Sequence, residues 1–132
     1  MKKVEELSFP DGILYYKEHT WAKKEGGLIR VGITDYAQDQ LGDIIFIELP
    51  VIGDEFATGN EFGSAESPKT VSSLYMPVGG IIESVNNKLE GSPDLVNSDP
   101  YGAGWMIMVK PYDLSKLAGL LSSDGYVSFL KE

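Results

Sequence analysis

A mainly β domain, a small sandwich or flattened barrel with a short inserted helix and a C-terminal helix covering its ends, is the fold class this sequence predicts. Three observations carry it. Short apolar stretches rich in β-branched residues recur at fairly even spacing. Glycine- and proline-containing turns separate them. Helix signals are confined to one short internal segment, marked by its caps, and to the last residues, marked by helical spacing. At 132 residues, 42% hydrophobic and 23% charged, the chain fits one domain over residues 1–132, with enough apolar mass for a core.

The first strand is expected from Ile13-Leu14-Tyr15-Tyr16 up to His19. Gly26-Gly27 turns the chain into Leu28 to Ile33, whose Ile29, Val31 and Ile33 share one face. A short helix follows, with Asp35 as N-cap, Gln38 as its capping-box partner and Gly42 as the stop. Ile44 to Leu49 is a strong strand closed by Pro50, and turns at Gly53-Asp54 and Thr58-Gly59-Asn60 bracket Glu55-Phe56-Ala57.

Phe62 to Ala65 and Val71 to Tyr75 then flank Glu66-Ser67-Pro68-Lys69-Thr70. Pro68 has its φ fixed and suits the first corner of a type I turn, with Lys69 at the second. The expected product is a hairpin tip, in a hairpin over about residues 61–80, that holds one primary amine in solvent. Its second arm is expected to end at Pro77-Val78-Gly79-Gly80. Ile81 to Val85 reads as a strand, Gly91 to Gly104 as an irregular surface loop, and Trp105 to Val109 as a last strand ended by Pro111. In that strand Trp105, Ile107 and Val109 face one way. Leu114, Leu117, Leu120 and Leu121, then Tyr126, Phe129 and Leu130, predict a C-terminal helical segment over about residues 113–131.

The formal net charge of −9 argues against a nucleic-acid partner and against docking on anionic membranes. No cysteine is present, which excludes thiolate metal sites and intrinsic thiol redox chemistry. No apolar run approaches a membrane span, and the N-terminus lacks a signal core, so a cytoplasmic location is expected. His19 is the only histidine, which removes most nucleophile–base and zinc arrangements. The carboxylates form no recognisable acid/base pair, and Gly102-Ala103-Gly104 leads into a strand, not a helix. No catalytic residue and no metal site emerge. What remains is a rigid β scaffold displaying Lys69.

Ordered blocks give that lysine a context. Glu18-His19-Thr20-Trp21, Val31-Gly32-Ile33-Thr34-Asp35-Tyr36-Ala37-Gln38, Leu41-Gly42-Asp43, Glu66-Ser67-Pro68-Lys69 and Asp99-Pro100-Tyr101-Gly102 follow one another, and Gly104-Trp105 closes the series. From about Tyr15 to Leu130 the chain resembles the H protein family of the glycine cleavage system, which are lipoyl carriers. The resemblance implies a lipoyl-domain-like fold, a barrel-sandwich hybrid, and lipoate covalently attached to Lys69. Glu66, Ser67, Pro68 and Gly80 would support the hairpin, and Glu18, His19, Thr20 and Ser73 would contact the arm or its cargo. A lipoate ligase or transferase would install the group. The implied partners are a pyridoxal-phosphate glycine decarboxylase, a folate-dependent aminomethyltransferase and a dihydrolipoyl dehydrogenase, with the carrier itself non-catalytic.

Three positions depart from the family pattern. Thr20 stands where the family usually has a second glutamate, and Ser73 where it usually has an aspartate four residues after the modified lysine. Pro68 replaces the usual valine or threonine and is expected to stiffen the turn. Losing both carboxylates points to an alternative, an H-like lipoate-binding protein carrying another cargo, such as sulfur intermediates with a heterodisulfide-reductase-like complex.

Overall fold

Two antiparallel sheets organise the chain in the computed structural model, which describes residues 1–132. The larger begins with β1 (Leu14–Tyr15), β2 (Thr20–Glu25) and β3 (Leu28–Ile33). Gly26 adopts φ +65°, so Glu25 and Leu28 pair directly across a two-residue turn. β9 (Ile107–Pro111) joins the free edge of β3, β8 (Gly80–Val85) joins β9, and β5 (Glu55–Phe56) closes that side. The smaller sheet has β6 (Glu61–Ser67) in its centre, flanked by β4 (Phe46–Glu48) and β7 (Thr70–Tyr75). Neither sheet closes on itself, as in a flattened sandwich. One apolar core draws on both: Ile29, Val31 and Ile33 from β3 meet Ile47, Phe62, Ala65 and Leu74 from the smaller sheet.

A second, aromatic cluster sits at the end where the chain begins and finishes. Tyr15, Trp21 and Tyr126 are fully buried there. Tyr15 and Tyr126 stack at 4.9 Å, and the Trp21 indole N–H donates to the Pro100 carbonyl at 3.0 Å.

Several expectations change in detail. The first strand stops at Tyr15, because a turn follows and His19 takes a left-handed φ of +73°. In the helix α1 (Asp35–Leu41), Thr34 is the N-cap, and its hydroxyl accepts from the Ala37 N–H at 3.1 Å. Asp35 is therefore the first helical residue, and Gln38 donates to its side chain instead of to the cap. The strand expected over residues 44–49 is only Phe46–Glu48, and the last strand starts at Ile107, leaving half-buried Trp105 outside it.

The segment Gly91 to Gly104 is not merely a surface loop. Within it the single-turn helix α3 (Leu95–Ser98) buries Val96 in the core, and a second, α2 (Lys88–Gly91), leads into it and buries Leu89. The C-terminal segment is a 3-10 helix (Leu114–Gly119) and α4 (Ser123–Leu130), separated by Leu121, which pairs with Tyr15. The second arm of the lysine hairpin ends at Tyr75. Gly80 belongs to the other sheet, paired with Pro111 and Phe56.

Candidate functional site

Ser67 and Thr70 are cross-strand partners, which leaves Pro68 and Lys69 as a two-residue turn at the tip of β6 and β7. His19 is the only non-glycine residue with positive φ, so Lys69 has negative φ and the turn is not of the mirror-image type favoured in hairpins. Pro68 pre-sets the first corner instead. Behind the tip, Ser67 is buried and its hydroxyl donates to the Thr70 carbonyl at 3.5 Å.

Lys69 is exposed and forms no ion pair; Arg30–Glu25 and Lys131–Glu5 are the pairs in the chain. Its side chain passes over Gly42, where a Cβ would lie 3.7 Å from the lysine Cε. Gly42 ends α1 with φ +81°, a conformation that disfavours any side chain, although a Cβ there would make only ordinary contact with the lysine. Asn97 of α3 fixes this floor. Its amide donates to the Gly42 carbonyl at 2.9 Å and to the Gln38 side chain at 2.9 Å, while its oxygen accepts from the Ile44 N–H at 2.9 Å.

One residue beyond Lys69 a cleft of about 340 Å³ begins. One wall is β7 from Thr70 to Leu74, the second is the Tyr36, Ala37 and Gln40 face of α1, and the third is Glu18-His19-Thr20. Glu18, His19, Thr20 and Ser73 thus come together along the hairpin's second arm, while Glu66, Ser67 and Pro68 stay with the turn. Gly80 lies outside both groups. A Cβ there would press on the Lys110 carbonyl and stand 2.6 Å from Val109 Cγ1, so this glycine permits the close approach of β8 and β9.

The polar groups of the cleft are unequal. Thr20 is buried, and its hydroxyl donates to the Tyr75 carbonyl at 3.0 Å, tying β2 to β7 across the two sheets. Ser73 is half-buried with no hydrogen bond from its hydroxyl to the protein. Glu18 is exposed and is the one carboxylate in the lining. His19 is held by its backbone N–H to the Tyr16 carbonyl at 2.8 Å and by its carbonyl to the Thr34 N–H at 3.1 Å. Burial pushes the imidazole pKa below the usual histidine value, partly offset by the Glu18 charge. Tyr36, Gln40 and Asn97 were not singled out by sequence. The 36/40 spacing on one helix face was the available signal for the first two.

The family model described as "Glycine cleavage H-protein" matches residues 13–132. The chain belongs to that family. A glycine cleavage system H protein of Oceanobacillus iheyensis is 51% identical over 126 residues, covering 96% of this chain and 100% of that protein. One from Bacillus licheniformis is 48% identical over 126 residues, 96% of this chain and 99% of that protein. The crystal structure of a glycine cleavage system H protein from Mycobacterium marinum matches with a TM-score of 0.85 at 36% identity, covering 93% of this chain and 99% of that one. Residues 1–12 precede the family match yet are tied to it. The Ser8 N–H donates to Asp35 at 2.8 Å, and the Tyr101 hydroxyl donates to the Ser8 carbonyl at 2.8 Å. This H-family chain has no helix long and apolar enough to cross a membrane.

Proposed function

We propose that this chain is the lipoyl-carrying H protein of a glycine cleavage system. It carries the aminomethyl group of glycine between glycine decarboxylase, aminomethyltransferase and dihydrolipoyl dehydrogenase, with lipoate joined to Lys69. The observation that carries the reading is an exposed, unpaired amine on a proline-stiffened tip, with a cleft opening one residue away, in a chain of this family.

The residues fit such a group. Lys69 Nζ would form the amide, and the cleft's exposed Val71 and half-buried Tyr36 and Ala37 offer apolar surface for an aliphatic chain. Glu18, His19 and Ser73 offer polar contacts to whatever it carries. Once bound, the group would supply the reversible dithiol chemistry that a cysteine-free chain lacks. The scaffold's own work is mechanical. The turn keeps the amine accessible to a lipoate ligase or transferase and to successive enzymes, and the tether raises the effective concentration of cargo at each.

A second reading rests on the cleft's polar groups. Thr20 has no charge and its hydroxyl proton is already committed, and Ser73 offers a hydroxyl in place of a carboxylate. An H-like carrier of a different cargo, such as a sulfur intermediate, would need neither carboxylate. Exchange of carbon dioxide into glycine separates the two. The fully lipoylated chain plus glycine decarboxylase should support exchange that disappears in Lys69→Arg. Exchange near background with full lipoylation would reject the aminomethyl cargo and favour the second reading.

A further inference from the structure

Three groups meet behind the cleft: His19 on the β1–β2 turn, Thr34 at the start of α1 and Tyr126 in α4. The Tyr126 hydroxyl lies 2.7 Å from His19 Nδ1 and 2.9 Å from the Thr34 hydroxyl oxygen. Thr34 and Tyr126 are both fully buried. The Thr34 oxygen already accepts from the Ala37 N–H, and its own proton has one acceptor within reach, the Tyr126 oxygen.

Counting protons fixes the direction of the chain. If Thr34 donates to Tyr126, then Tyr126 donates onward to His19 Nδ1, and every buried hydroxyl proton is bonded. The reverse order, with Nδ1–H donating to Tyr126 and Tyr126 to Thr34, strands the Thr34 proton in a buried setting with no acceptor. Buried donors left unpaired are the costlier state, so the first order holds. His19 Nδ1 is then a lone-pair acceptor, and the ring's one proton sits on Nε2. That second nitrogen has no partner within the protein, and His19 forms part of the cleft wall.

We propose that Thr34 and Tyr126 hold His19 as the Nε2–H tautomer, making it the hydrogen-bond donor by which the cleft recognises an acceptor atom of the group carried on Lys69. Tyr126 and Thr34 are positioning residues; His19 is the contact. The ligand half of the proposal rests on the lipoyl-carrier reading, whereas the tautomer half does not. Two acceptors share the required chemistry, the carbonyl oxygen of the lysine amide and a sulfur at the far end of the arm. A cationic amine offers no lone pair to such a donor, so within this cleft it would be left to the Glu18 carboxylate and the free Ser73 hydroxyl. His19 accordingly discriminates by the arm's neutral or anionic atoms and not by its positive charge.

The test uses the chain's only histidine as its own probe. Long-range proton–nitrogen NMR of the intact unmodified chain near neutral pH should report Nε2 as the protonated nitrogen and Nδ1 as the bare one. Tyr126→Phe keeps the stacked ring, removes only the hydroxyl and should convert the single tautomer into a mixture. A wild-type Nδ1–H tautomer, or a Tyr126→Phe spectrum identical to wild type, overturns the assignment.

The ligand half is tested by loading Lys69 with a lipoyl group or with an octanoyl group, which shares the amide and the chain but has no sulfur. A shift of the His19 Nε2 resonance in both forms supports contact with the amide carbonyl, and a shift in the lipoyl form alone supports contact with sulfur. A chain proved by mass to be loaded, with His19 unmoved in both forms, overturns the proposed contact. A chain that cannot be loaded overturns the carrier reading and this contact with it.

Discussion

At the scale of single residues, Thr20 and Ser73 occupy the cleft in different ways, although the sequence pairs them as departures from one pattern. Thr20 is structural as well as lining, because its hydroxyl bridges the two sheets at Tyr75. Thr20→Val keeps the shape and loses that bond, leaving the Tyr75 carbonyl to find another donor. It should lower unfolding free energy by about 0.5–1.5 kcal/mol in a denaturant titration. Ser73 has no such commitment, so Ser73→Asp adds a carboxylate to the cleft without breaking a hydrogen bond. With an amine cargo it should raise glycine exchange at limiting decarboxylase, and Thr20→Glu should raise it less. Equal gains from the two substitutions would show that the Tyr75 bond does not matter to the cleft.

Among the elements, the lysine hairpin is the one whose local chemistry was most legible. A proline at the first turn corner and apolar arms on either side put the amine at the tip, and the register Ser67 to Thr70 follows from that. The helix beside it was less legible. Asp35 reads as the cap in sequence, but Thr34 has the extended backbone and the hydroxyl bond to the Ala37 N–H, which a choice between two neighbouring cap-type residues does not show. The polar stretch before Trp105 hid the most, because turn-forming residues mask single-turn helices that bury one side chain each. Asn97 from that stretch makes three hydrogen bonds under the lysine's path, a role that only tertiary contact reveals.

Asn97→Ala should therefore destabilise the chain by about 1–3 kcal/mol. It should also speed amide exchange at Ile44 in hydrogen-exchange measurements. Gly80→Ala should also destabilise, but without changing the site. Its Cβ would force β8 from β9, costing about 1–3 kcal/mol or more in thermal or denaturant unfolding. The fraction of Lys69 that can be modified in the folded population should stay unchanged, because Gly80 is not part of the hairpin.

For the whole molecule, pH is the informative variable. His19 has its pKa lowered by burial, so the unfolded chain takes up a proton at higher pH than the folded chain does. Its contribution to stability is complete above about pH 6.5 and is lost as pH falls from there towards the folded-state value. His19→Asn tolerates the left-handed backbone and should flatten that slope in a series of denaturant midpoints. Tyr15, Tyr101 and Tyr126 have pKa values raised, chiefly by burial, so stability should fall as pH rises above about 10, where the unfolded chain ionises first. The sequence conveyed a small β sandwich through its turn spacing. It did not convey how nine short strands divide between two sheets, because the order β1-β2-β3-β9-β8-β5 pairs strands far apart in the chain.

The central claim is that the tip of this hairpin carries the arm. The direct measurement is intact mass followed by peptide mapping after incubation with lipoate, ATP and a lipoate ligase. The predicted result is a single lipoyl amide located at Lys69 and none on the Lys69→Arg chain. A folded chain left unmodified under conditions that lipoylate a known carrier, or one modified at a different lysine, would contradict the account.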